Sequence, residues 1–238
     1  NYITYTDLAR AREYSIGDTV ATAWGNATGY MLLSWIVVKM GMGIYAVNSV
    51  CAAIFTVGLM KYCRNQPMPW VALAAAIPYM VCAVAMGYTR QSVAIGFFLW
   101  ALSILRPGNE FKYFGLIILA SFFHFSVIIT LPLIFCTREK INWYLYPVVG
   151  LFLFGAFSLF TQIETSGRSL VEGYALIWEY TRTRGSAGGV LRTYLNAVPV
   201  FIAFFFWNRI KMISTDYKII KWMAIACIIA IPALSFST

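Results

Sequence analysis

Charge is scarce in this chain, and acidic charge most of all: nine aspartates and glutamates stand against eighteen lysines and arginines among 238 residues, with a single histidine. One histidine and no neighbouring acidic cluster exclude a metal site built by the protein itself, and no cofactor is expected. The five cysteines, Cys51, Cys63, Cys82, Cys136 and Cys227, are odd in number, scattered through apolar stretches and without CxxC spacing. Neither a disulfide framework nor a zinc site is signalled, and the cysteines read as small core residues. The chain begins at Asn1 in a polar stretch without the pattern of a signal peptide and stops at Ser237-Thr238 on the end of an apolar run. Flanking helices are expected beyond both ends. Regular repeats are lacking too: Pro78, Pro132, Pro147, Pro199 and Pro232 follow no period, which counts against a transporter or channel for an anionic substrate. No short Asn or Asp motif on a cytoplasmic loop accompanies the histidine, which counts against a membrane O-acyltransferase. Both classes remain as alternatives.

What the chain has in excess is apolar sequence. At 61% hydrophobic residues it lies far above the roughly 45–50% of soluble domains. The class is therefore an all-α integral membrane protein, a polytopic helix bundle forming one domain over residues 1–238. A formal net charge of +9 would point to nucleic acid in a soluble chain. Here the basic residues flank apolar segments, so membrane lipid headgroups or an anionic lipid-linked ligand are the expected partners, and nucleic acid is not.

A crossing helix needs about 20 apolar residues. Clear candidates are Gly43 to Tyr62, Met68 to Met86, Gln91 to Leu105, Trp143 to Ile163, Gly189 to Trp207 and Ile219 to Phe236. Gly29 to Met40 is too short to cross alone, and reads as a partial or interfacial helix unless residues before it join in. Phe111 to Phe135 has ordinary length, but its flanks conflict with a single crossing. The basic loops at Lys61/Arg64, Arg106/Lys112, Arg138/Lys140 and Arg209 to Lys221 all belong on the cytoplasmic side, and a single span here would put some of them outside. A return removes the conflict: a short helical hairpin over residues 111–135, rising as Phe111 to Phe123 and descending as Phe125 to Phe135, with His124 at the apex. Helical arms of that length would rise about 16 to 20 Å, leaving the apex inside the membrane, buried in protein. A single span with a weaker charge bias is the alternative.

On this topology the outer face receives residues 1–20, Arg90, His124 and a long loop over residues 164–188. That loop and the helix start after it carry Arg168, Arg182, Arg184 and Arg192, with no lysine. Arginine on the side normally poor in basic residues suits an anionic ligand, because its planar fork makes parallel charge-assisted bonds to phosphate. Pairing with Glu164, Glu172 and Glu179 of the same loop is the plainer explanation. Arg90 stands where a helix enters the bilayer, and either snorkels to the headgroups or faces a polar interior. Ala94 and Ala101 fall near its face of the helix and would leave room for a ligand. His124, set among Phe122, Phe123 and Phe125, can exchange a proton near neutral pH, or can be a core histidine bonded to a carbonyl.

Three stretches carry a family resemblance. Gly87-Tyr88-Thr89-Arg90-Gln91-Ser92-Val93-Ala94, then Lys112-Tyr113-Phe114 leading into Leu119-Ala120-Ser121-Phe122-Phe123-His124-Phe125-Ser126, then Gly189-Val190-Leu191-Arg192, together resemble the EpsG family of exopolysaccharide and O-antigen polymerases, the Wzy-type enzymes. Asp7 and Gly29-Tyr30-Met31-Leu32-Leu33 are similar to it more weakly. The resemblance implies a GT-C-like bundle in the bacterial cytoplasmic (inner) membrane with an outward-facing site. It also implies a metal-independent glycosyltransferase that joins oligosaccharide repeat units carried on undecaprenyl diphosphate, with a chain-length regulator as a further protein partner. On that reading Arg90 and Arg192 bind diphosphate, helped by Arg168, Arg182 or Arg184. Gln91 and Tyr194 contact sugar or acceptor, His124 acts as base or positioning group, and Asp7 is the less favoured base.

Overall fold

The computed structural model describes residues 28–137 continuously, and beyond them 151, 152, 155, 198, 200–209, 217, 220, 221 and 224. The chain divides into two compact units, Asn1–Ile134 and Phe135–Thr238. Among the described residues there is no strand, as an all-α reading requires. In the second unit residues 200–205 and 207–209 are helical, and Trp207 meets Tyr217 edge to face with ring centroids 6.4 Å apart.

The first unit opens with α1, Thr28–Lys39, whose 12 residues rise only about 18 Å, short of a bilayer core. It ends in a Schellman motif. Gly41 takes the left-handed backbone at φ 78°, its N–H donates to Val38 O at 2.9 Å, and the Met42 N–H donates to Val37 O at 3.1 Å. After this turn comes α2, Ile44–Arg64, whose 21 residues give about 31 Å. Among the described residues α2 is the one helix long and apolar enough to cross a membrane.

The return leg changes character partway. Pro69 starts α3, Pro69–Ala76, at a position where a missing N–H costs nothing. Pro78 then falls inside the helix and has no hydrogen for the Ala74 carbonyl, which instead accepts the Ile77 N–H. From there the chain continues as a π-helix, Ile77–Ala85, with the wide hydrogen bond from Met86 N–H to Val81 O at 3.2 Å. The segment expected from Met68 to Met86 is thus one helical leg in two windings.

Next, α4 spans Thr89–Ile104 and runs parallel to α2. Contacts between them advance together along both helices. Gly96 lies against Phe55 and Gly58, the Lys61 ammonium sits 3.6 Å from the Trp100 ring centroid, and the Asn65 amide donates to Ser103 O at 2.6 Å. At the Gly58 and Gly96 crossing the helices touch backbone to backbone: a Cβ on Gly96 would lie 2.7 Å from Phe55 Cα, and a Cβ on Gly58 would meet the Gly96 carbonyl. A turn with Gly108 at φ 91°, whose N–H donates to the Glu110 carboxylate at 2.9 Å, leads into α5, Glu110–Ser121.

Then the chain reverses. Phe123 and His124 N–H groups both donate to Ala120 O at 3.0 Å and close α5, while His124 O accepts the Val127 N–H at 3.2 Å and opens a 3-10 helix, Phe125–Thr137. Tyr113 Oη donates to Thr130 O at 2.7 Å. Seventeen residues of unbroken α-helix would hold those groups about 25 Å apart, so only a fold-back permits the bond. The expected hairpin over 111–135 is present. Its second arm is wound more tightly than an α-helix, and 13 residues at about 2.0 Å per residue reach about 26 Å, longer than the α-helical rise expected.

The core between these helices holds Val47, Cys51, Val93, Tyr113 and Ile117, all fully buried. Its two buried serines stay satisfied within their own helices, Ser34 Oγ on Tyr30 O at 2.9 Å and Ser92 Oγ on Thr89 O at 2.8 Å. Cys51 and Cys63 pack inside as expected, but Cys82 is exposed. Large apolar groups also face outward, Tyr45, Trp70, Met86 and Phe111 among them, with Phe111 92% exposed. Water seldom borders so much apolar surface, whereas hydrocarbon and the interfacial zone accept it.

Candidate functional site

Ordering the helices sorts the charges. Lys61 and Arg64 end α2, Arg106 follows α4 and Lys112 begins α5, and the parallel run of α2 and α4 brings these basic residues to one end of the unit. Arg90, on the first turn of α4, belongs to the opposite end, as does the Phe122–His124 turn that follows α5.

Gly87 makes the entry to α4 possible, because a Cβ there would press within 2.6 Å of Ala83 O. Past it, Arg90 is partly buried, and its Cζ lies 5.2 Å from the centre of the Tyr30 ring. Arg90 is a cation on a helix start, where the backbone dipole is already positive. Guanidinium and helix start therefore add to one another in attracting an anion. Within residues 28–137 the one carboxylate is Glu110, and it is engaged at the Gly108 turn. Gln91 follows Arg90 and is partly buried.

Tyr30 connects this arginine to the hairpin. Its neighbour Gly29 donates its N–H to Phe122 O at 2.8 Å, so an unpaired donor at the start of α1 caps a carbonyl at the end of α5. A Cβ on Gly29 would stand 3.1 Å from Phe122 Cβ and 3.2 Å from the Phe123 ring. Phe123 in turn packs on Phe97 of α4, ring centroids 5.8 Å apart. Arg90 and the His124 turn are thus held against two consecutive residues, Gly29 and Tyr30. Replacing Gly29 by leucine is expected to push α1 off the turn and lower the thermal transition of detergent-purified protein by several degrees, an overpacking cost of about 1–3 kcal/mol. Alanine at the same position should cost less, since the neighbours need give only tenths of an ångström.

His124 is partly buried and has partners, and its own backbone is the pivot between the two arms. One expectation changes. Ala94 and Ala101 do not open space under Arg90. Both are fully buried, and Phe97 on the same face is covered by Phe123, so the small residues serve close helix packing. Asp7, Arg168, Arg182, Arg184, Arg192, Tyr194 and the expected loop over 164–188 lie outside the described residues. Tyr30, the neighbour of Arg90, stands out in the sequence only as part of a weakly similar stretch. An aromatic early in an apolar segment carries no local mark of the arginine it will meet sixty residues on.

Described residues without a strand, a bilayer-length apolar helix, outward-facing apolar side chains and the gathering of Lys61, Arg64, Arg106 and Lys112 at one end are compatible with a membrane helix bundle. The family is specific: the model of the EpsG family matches residues 1–238, and the chain belongs to that family, which is membrane-associated and linked to polysaccharide synthesis. No curated protein and no solved structure matches the chain.

Proposed function

We propose that this protein is a membrane glycosyltransferase that polymerises oligosaccharide repeat units carried on undecaprenyl diphosphate, in the Wzy manner, on the outer face of the bacterial inner membrane. The observation that carries the reading is the Arg90 guanidinium on the first turn of α4, over the Tyr30 ring, at the end of the bundle away from Lys61, Arg64, Arg106 and Lys112. The positive-inside rule assigns that basic end to the cytoplasm, which sends Arg90 and the His124 turn outward.

The reaction needs two things from the protein. The hydroxyl of an acceptor sugar attacks the anomeric carbon of the donor, the bond from that carbon to the diphosphate oxygen breaks, and the diphosphate leaves with the electron pair. Arg90, together with Arg192 and with Arg168, Arg182 or Arg184 as helpers, neutralises the departing charge without a metal. The hydroxyl proton goes to a base, His124 before Asp7, while Gln91 and Tyr194 contact the sugars. A GT-C-like arrangement of the whole bundle, with an outer loop over residues 164–188 and a chain-length regulator as partner, belongs to the same reading. Incubating purified protein in lipid vesicles with radiolabelled lipid-linked repeat units should give chains of increasing length and release lipid diphosphate. Acyl transfer or anion flux without chain growth would replace this reading with a rival class.

A further inference from the structure

Arg90 is held by an aromatic face and, among the described residues, by no carboxylate, because Glu110 is the one acid between residues 28 and 137 and it serves the turn at the far end of α4. The difference matters chemically. A carboxylate would neutralise the guanidinium and occupy its fork, whereas a ring face steadies a cation through its quadrupole and adds no charge and no lone pair. Such support has work to do here, since the start of α4 repels a cation. The ring itself cannot drift. Tyr30 is 2% exposed, and the preceding residue is tied to the hairpin turn by the Gly29 N–H bond to Phe122 O and by a contact that leaves little room for a side chain.

Resting on the reading of Arg90 as the diphosphate-binding cation, we infer that Tyr30 is a positioning residue for it. The Tyr30 ring fixes the guanidinium while leaving its full charge and its N–H donors for an anionic ligand, and so sets affinity for the lipid diphosphate rather than the rate of the bond-breaking step. Gly29 is the second part of the device: lacking a side chain, it lets the first turn of α1 seat directly on the turn that contains His124. The arginine and the imidazole-bearing turn thereby share one support.

The test compares Tyr30→Phe, Tyr30→Leu and Arg90→Ala in the full chain, with KM and kcat measured in vesicles for lipid-linked repeat units and normalised to folded protein. Tyr30→Phe keeps the ring and should stay within about twofold of the parent. Tyr30→Leu removes the π face and should raise KM about tenfold with kcat little changed, the order expected for a partly desolvated cation–π contact. In the Arg90→Ala background the leucine substitution should add nothing further. If Tyr30→Leu yields too little folded protein, Tyr30→Met, unbranched and of similar reach, carries the same comparison. Parent-like KM in the ring-deleted variant, or an equal loss with and without Arg90, overturns the positioning role. An impaired Arg90→Ala beside a parent-like Tyr30→Leu refutes only that role, whereas a fully active Arg90→Ala refutes the assignment of Arg90 to the site and this inference with it.

Discussion

Leucine at Gly58 is expected to leave little folded protein. At the crossing of α2 and α4 the Gly96 carbonyl occupies the place a Cβ of residue 58 would take, and a Cβ on Gly96 would come within 2.7 Å of Phe55 Cα. Side-chain neighbours can rotate away from an intruding methyl. Backbone neighbours cannot, so the only relief is to separate two helices that otherwise hold each other along their whole common length. Overpacking that forces backbone shifts costs about 1–3 kcal/mol and sometimes more, against a total stability of about 5–15 kcal/mol. Separation here would also pull Lys61 from Trp100 and Asn65 from Ser103, where they join the same two helices. Alanine at Gly58 should lower the thermal transition clearly, and leucine should abolish the cooperative transition and the yield. The control is Gly115, on the exposed side of α5, where a Cβ would meet nothing within 4 Å. Alanine there should leave stability unchanged or raise it by about 0.5–1 kcal/mol through helix propensity. Comparable losses at Gly58 and Gly115 would refute the close-contact account.

The same crossing marks what could be read from the sequence. Hydrophobic runs bounded by charge set the helices well: Gly43 to Tyr62 is α2 to within two residues at each end, Met68 to Met86 is the α3 and π leg, and Gln91 to Leu105 is α4. The charge bias of short loops went further and called for a return within one apolar stretch, which the Tyr113 to Thr130 bond bears out. Winding was not legible. Pro78 and Pro132 each remove one N–H from a ladder, but nothing local in the sequence tells that the helix widens to π at the first and is wound as 3-10 at the second. Long-range contacts were hidden for a different reason. Gly58 and Gly96 look like any two glycines in apolar sequence, and the pairing of Tyr30 with Arg90 appears only once α1 has been docked by Gly29 on the end of α5. The arginine itself was legible, because a charge at the rim of an apolar helix is costly enough to ask for a reason.

Arg90→Ala should remove polymer almost entirely while the protein is made and folded at normal levels. The stability half of that expectation follows from place: Arg90 lies on the first turn of α4, partly exposed, and removing a cation from a helix start relieves an unfavourable dipole interaction of about 0.3–1 kcal/mol, which offsets the lost contact with Tyr30. The activity half follows from chemistry. A hydrogen bond to a charged group contributes about 1.5–3 kcal/mol, and a diphosphate already anionic when it binds uses that contact from binding through departure. Loss of that cation should therefore lower kcat/KM by about a hundredfold, seen in cells as short or absent polymer ladders. Lysine at the same position keeps the charge and can still lie over the Tyr30 ring, but it loses the planar fork that grips two phosphate oxygens at once. Its activity should fall between parent and alanine, with shortened ladders. That ordering separates a diphosphate ligand from a headgroup anchor. If Arg90 only snorkelled to the lipid surface, lysine would serve as well as arginine, and full-length polymer from the alanine variant would remove Arg90 from the site.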